Sequence, residues 1–96
     1  MRLSESIINN LLIEVDSLTF RIRSIKQSFK TTSNNSLKER FIYENKAIFE
    51  RVKDINKTAI YLNKNGSENI SFSSLLIEKC KRTLKEIKTE SNLFFN

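Results

Sequence analysis

The stretch from residue 36 to residue 63, SLKERFIYENKAIFERVKDINKTAIYLN, decides the fold of this 96-residue chain. One set of its side chains recurs alternately every four and every three positions, which places them along one face of an α-helix. That set is Phe41, Asn45, Ile48, Val52, Ile55, Ala59 and Leu62. Ile42 and Phe49 widen the stripe, as expected of a central helix that packs against two neighbours. Ser36 and Glu39 have the spacing of a capping box, so we predict a helix over residues 36–63.

Two further stretches carry stripes of the same kind. The first predicted helix covers residues 4–30 with Ser4 as its N-cap, and its stripe is Ile8, Leu11, Val15, Leu18, Ile22, Ile25 and Phe29. The third covers residues 73–94 with Ser73 as its N-cap, and its stripe is Ile77, Cys80, Leu84, Ile87, Ser91 and Phe94. The chain has no proline, and its one glycine, Gly66, falls in the second predicted turn. Long uninterrupted helices are therefore easy to form, and tight β-hairpins are not.

The three stripes match one another when the chain is folded back on itself twice. Leu18 then faces Ile48 across the first hairpin, and Val52 faces Leu84 across the second. The two polar members, Asn45 and Ser91, fall in the same layer, so we predict that they form a hydrogen bond and define the register. The predicted fold is all-α, an antiparallel three-helix bundle with coiled-coil-like seams in one domain, residues 1–96. The alternative is a helical hairpin that dimerises into a larger bundle, because the same periodicity suits both.

The composition argues against an enzyme. The chain has no histidine, one cysteine and one glycine, whereas phosphate-binding loops need several glycines and most acid–base, nucleophilic and zinc chemistry needs histidine or ligand clusters. The carboxylates alternate with lysine and arginine at helical spacing, as on a solvated helix face. Cys80 lies on a seam and is predicted to be a small buried hydrophobe. We expect no catalytic residue, metal, cofactor or small-molecule substrate.

The N-terminal residues lack a continuous apolar stretch, because Asn9, Asn10, Glu14 and Asp16 interrupt it. This pattern argues against a signal peptide or a membrane-spanning helix. A single cysteine also suits a reducing compartment. We expect a cytoplasmic protein without membrane attachment, because the sequence shows no lipidation motif.

A cluster of positive charge lies around the first predicted loop. The net charge of the chain is +6, and residues 21–40 contain a single acid, Glu39. The cations of this basic patch are Arg21, Arg23, Lys26, Lys30, Lys38 and Arg40. They can bind a phosphate backbone or an acidic partner, or they can simply complement the dipole at the end of the first helix. No exposed aromatics alternate with them for base stacking, so we favour the dipole or a protein partner over nucleic acid.

A second stripe lies on the first helix, opposite its seam. It consists of Ile13, Ser17, Phe20 and Ser24, and Leu12, Ile60 and Tyr61 can extend it. A monomeric bundle has no use for two large apolar residues there, so the stripe indicates a partner helix or self-association as a homodimer. We predict a small helical protein-interaction module, such as an adaptor, chaperone, accessory subunit or regulator. The alternative function is a basic, non-sequence-specific nucleic-acid-binding protein.

Overall fold

The computed structural model describes residues 3–65 and 70–89, and these residues form three helices. Helix α1 is Leu3–Thr31, α2 is Asn35–Asn65 and α3 is Ile70–Thr89. Each helix contacts both of the others, so the fold is the predicted all-α three-helix bundle. The bundle is elongated, with extents of 50 × 22 × 15 Å.

Side-chain pairs between the helices define an up-down-up arrangement. Glu14 of α1 pairs with Arg51 of α2, and Arg21 of α1 pairs with Glu44 of α2. From the first pair to the second, the residue number rises by seven on α1 and falls by seven on α2, so these two helices are antiparallel. Asp16 pairs with Lys79 and Arg23 with Glu86, each 63 residues apart, so α1 and α3 are parallel.

The core is one continuous apolar cluster along the bundle axis. Its fully buried members are Ile8, Val15, Ile22, Ile25, Ile48, Val52, Ile55, Ala59, Leu76, Cys80 and Ile87. The remaining apolar residues of the predicted α1 and α2 stripes pack against this cluster at partial exposure. Both of those predicted seams are therefore confirmed, since alternate three- and four-residue steps place every member on one helix face.

Helix α3 is rotated relative to the prediction. Its most deeply buried row is Ser73, Leu76, Cys80, Thr83 and Ile87, whereas the predicted seam members Ile77 and Leu84 are only partly buried at its edge. The predicted seam of α3 was matched to α2 alone, whereas its buried line lies between α1 and α2: Thr83 meets Thr19 of α1, and Ser73 meets Asn63 of α2.

The predicted N-cap residues of α2 and α3 are wrong. Asn34, not Ser36, caps α2, because its side-chain Oδ1 accepts the backbone N–H of Leu37 at 3.0 Å. That bond connects an N-cap residue to the third residue of its helix and leaves no capping box for Ser36. Ser73 lies inside α3, where its buried hydroxyl is 2.9 Å from the side-chain nitrogen of Asn63. Helix α1 begins one residue before the predicted cap, Ser4.

Asn45 occupies the polar seam position of α2 and is fully buried beside the apolar core. Among the described residues, neither its amide nitrogen nor its amide oxygen has a hydrogen-bond partner. Its predicted partner, Ser91, lies outside the described residues, as do Phe94 and Gly66, so the pairing stays a prediction.

Candidate functional site

Within residues 3–65 and 70–89, no group of three or more histidine, cysteine, aspartate or glutamate side chains is arranged to hold a metal ion. In the same part of the chain, no helix combines the length and the apolar content that crossing a membrane requires.

Cys80 is the one thiol of the chain and lies in the core. Burial raises its pKa to about 11, because the apolar surroundings disfavour the thiolate. A thiol protonated at neutral pH and shielded from solvent is a poor nucleophile, so its structural role as a small core residue fits the observed position.

The structure places the second stripe of α1 on the outer side of the bundle. Ile13 is 68% exposed and Phe20 is 76% exposed, although both are large and apolar. Ser17 between them is exposed, and Ser24 is half-buried. The helical rotation that buries Ile8, Val15 and Ile22 turns this stripe away from the core, where α2 and α3 leave it open to a partner.

A groove of about 350 Å³ runs beside this stripe, between α1 and α3. Phe20 lies at its edge, and Thr19 and Thr83 meet within it with their hydroxyl oxygens 2.8 Å apart. Thr19 donates its only hydroxyl hydrogen to the carbonyl of Val15, so Thr83 donates to Thr19. Both hydroxyl hydrogens are therefore used within the bundle, and the groove combines the apolar edge at Phe20 with charged side chains that include the Asp16–Lys79 and Arg23–Glu86 ion pairs.

Two exposed apolar residues of α3 add to this surface, although they were not predicted as part of it. Phe72 is 43% exposed and Leu75 is 42% exposed. They precede Lys79 by seven and four residues, so they share its side of α3, and Lys79 bonds Asp16 of α1 at 2.7 Å. The sequence signal for these two residues is their helical spacing to Lys79. That spacing indicates a surface shared with α1 only once Lys79 is known to contact α1.

The suggested extensions of the stripe lie elsewhere. Leu12 packs against the core at partial exposure. Ile60 and Tyr61 are exposed, but both belong to α2. The candidate site therefore has two parts. The first is the outer face of α1, formed by Ile13, Ser17, Phe20 and Ser24, which we call the α1 face; the second is the neighbouring groove between α1 and α3.

The basic patch is partly neutralised by carboxylates from the other two helices. Glu44 of α2 bonds Arg21 through both carboxylate oxygens, and Glu86 of α3 bonds Arg23 at 2.8 and 3.2 Å. The bond from Arg21 lowers the pKa of Glu44, because it stabilises the charged form of the carboxyl. Arg21 and Arg23 are therefore at least two cations of the basic patch that have an anionic partner within the described part of the bundle.

The other four cations of the basic patch differ from one another in contact and exposure. Lys38 lies over the ring of Phe29, 5.6 Å from its centroid, as a cation–π contact. Lys30 and Arg40 are exposed, and Lys26 is half-buried. Residues 21–45 and 85–89 still contain eight cations against three carboxylates, so this end of the bundle stays electropositive.

No protein-family model matches the chain, and comparison with curated proteins and with solved structures also gave no match.

Proposed function

We propose that this chain is a non-enzymatic helical interaction module that binds a protein partner through a helix packed along the α1 face. The observation that carries the proposal is the exposure of Phe20 and Ile13, one heptad apart, on the side of α1 turned away from its own core. Burying one such side chain against a partner is worth about 1.5–3 kcal/mol, so the two together favour association appreciably.

The shape of the surface supports a helical partner rather than a small ligand. Exposed apolar residues spaced by one turn or one heptad match the anchors that a second helix presents. The groove beside Phe20 is open to solvent, whereas small-molecule sites usually enclose most of the ligand. The role would be that of an adaptor, chaperone, accessory subunit or regulator working in the cytoplasm.

The electropositive end of the bundle would contribute to partner choice and association rate. Exposed cations such as Lys30 and Arg40 attract acidic surfaces over several ångströms without needing to be buried. The alternative, nucleic-acid binding, has less support because Arg21 and Arg23 already hold carboxylates. These carboxylates reduce the positive potential that a phosphate backbone would meet at this end of the bundle. A gel shift at low salt that shows strong retardation would favour that alternative.

The decisive experiment places a photo-reactive phenylalanine analogue at residue 20 or at residue 43. Tyr43 is the matched control, since it is an aromatic residue of α2 with 78% exposure. We expect cross-linking to protein from residue 20 and little from residue 43, either with the purified chain or in cells of the native host. Phe20→Asp should abolish the association, and Tyr43→Asp should preserve it.

Circular dichroism would verify that both aspartate variants remain helical, as expected for exposed positions. Equal cross-linking from the two residues, or association that survives Phe20→Asp, would contradict the proposed function.

A further inference from the structure

We propose that the partner on the α1 face is a second copy of this chain, packed with its α1 antiparallel to the first about a two-fold axis between residues 18 and 19. This inference rests on the proposed function and adds the identity of the partner. In such a pair, residues whose numbers add up to 37 lie opposite each other.

The sizes of the four side chains are complementary in this arrangement. Ile13 faces the partner's Ser24, and Phe20 faces the partner's Ser17. Every layer then contains one large and one small side chain, which is how facing helix positions fill space without voids or overlap. A parallel pair would instead put Phe20 against Phe20 and Ser17 against Ser17, crowding one layer and leaving a gap in the next.

The charges that flank the stripe are complementary in the same arrangement. Glu14 and Asp16 flank the N-terminal half of the α1 face, and Arg21 and Arg23 flank its C-terminal half. Antiparallel pairing puts Glu14 on the same side of the interface as the partner's Arg21, and Asp16 on the same side as the partner's Arg23. Each of these flanking pairs is offset by two residues from the directly opposing position. Opposite charges at these flanking positions set the orientation of paired helices.

These four side chains are held in position but remain accessible. Each has an ion-pair partner on α2 or α3, yet each is at least a third exposed. A carboxylate can accept from two arginines, and a guanidinium has five N–H groups. The intramolecular pairs therefore orient the side chains towards the flanks of the α1 face and leave capacity for a contact across the dimer.

The outer layers of the proposed contact are polar. Asn10 faces the partner's Gln27, and both residues are exposed in the single chain. Two amides can exchange hydrogen bonds across the interface, whereas an apolar residue there would leave an amide without a partner. The apolar contact thus ends in a polar rim, the usual anatomy of a protein interface.

The first test exchanges the large and small residues of one layer. We expect Ser17→Phe alone and Phe20→Ser alone each to weaken dimerisation by about 10- to 100-fold, by overpacking and by loss of the anchor respectively. The double variant Ser17→Phe/Phe20→Ser again pairs large with small across the axis, so its affinity should return to within about threefold of the original chain. Analytical ultracentrifugation measures each affinity against a monomer mass of 11.3 kDa.

The second test traps the geometry with disulfides under mild oxidation. A chain with Ile13→Cys mixed with a chain with Ser24→Cys should give a covalent heterodimer, while each variant alone should give little product. In an antiparallel pair the two copies of residue 13 are about 16 Å apart at 1.5 Å per residue, far beyond the reach of a disulfide. Cys80 is buried and should not contribute.

The outcomes separate this inference from the proposed function. A monomer up to about 1 mM, a swap variant that stays as weak as the single variants, or cysteine variants that cross-link with themselves would each overturn the antiparallel homodimer. The proposed function would survive such a result if residue 20 still cross-linked to another protein in the native host. Dimerisation that Phe20→Asp leaves unchanged would overturn both.

Discussion

Replacing Asn45 with leucine should stabilise the bundle, which is unusual for a single change in a core. Leucine has the same number of side-chain heavy atoms as asparagine and the same branching at Cγ, so it can occupy nearly the same space. In the described residues Asn45 is fully buried and neither polar atom of its amide has a partner. A buried amide without a hydrogen bond costs about 1–3 kcal/mol, and the new apolar surface adds a further favourable contribution.

We therefore expect Asn45→Leu to raise the free energy of unfolding by about 2 kcal/mol. For a chain of this length, such a gain corresponds to a rise in Tm of about 10 °C. Urea unfolding followed by circular dichroism at 222 nm measures the change, and a constant m-value would show that the unfolding transition is otherwise the same. Thr58→Leu is the matched control on the exposed side of α2, and its effect should stay within about 0.5 kcal/mol.

A neutral or destabilising effect of Asn45→Leu would refute this reasoning, because it would mean that the amide is satisfied in the folded chain. The predicted hydrogen bond with Ser91 would then be the leading explanation. If the reasoning holds, Asn45 is retained for specificity rather than stability, since a polar seam residue disfavours alternative registers and oligomers. Light scattering of Asn45→Leu should accordingly show additional oligomeric species.

Three further predictions concern the cap, the thiol and an ion pair. Asn34→Ala should lower the free energy of unfolding by about 1 kcal/mol by removing the α2 cap, whereas Ser36→Ala should have little effect; urea unfolding of both variants decides between the two caps. Cys80, with its pKa raised to about 11, should resist a thiol reagent at pH 8 until the chain unfolds in denaturant; rapid labelling of the folded chain would contradict its burial. The hydrogen bond from Arg21 lowers the pKa of the Glu44 carboxyl in the folded chain below its ordinary value of 4.5. The ion pair therefore stabilises the folded chain above pH 4.5, and this stabilisation is lost as the pH falls through the lowered pKa. The pair is exposed, so the contribution should be under about 1 kcal/mol, and Glu44→Gln should remove that part of the acid dependence; an unchanged pH profile in this variant would show that the pair contributes nothing.

Much of the candidate site could be predicted from the sequence, because it depends on helical periodicity alone. Once the seam of α1 is read from Ile8 to Phe29, the rotation of the helix places Ile13 and Phe20 on the opposite side, and both are exposed in the structure. The groove beside Phe20 could not be predicted in the same way. It requires Thr83 and Lys79 to lie next to α1, and they are more than 60 residues away along the chain.

The starts of the helices were harder to predict than their faces, because several residues compete for one role. Asn34 and Ser36 can both cap a helix, and Ser36 has the better sequence signature with Glu39. The structure nevertheless uses Asn34, whose side chain accepts the N–H of Leu37. The rotation of α3 could not be predicted because its seam was matched to α2 alone, whereas Thr83 is buried against Thr19 of α1.

The sequence by itself determined that this chain forms three long helices, which faces of α1 and α2 are buried, and that Phe20 is left outside. These features follow from side-chain spacing within a single helix, which is a local property. Only the tertiary structure decided which charges are neutralised and where a groove opens. Arg21 and Arg23 looked free in the sequence but pair with Glu44 and Glu86, because ion pairs between helices depend on the register and rotation of whole elements packed together.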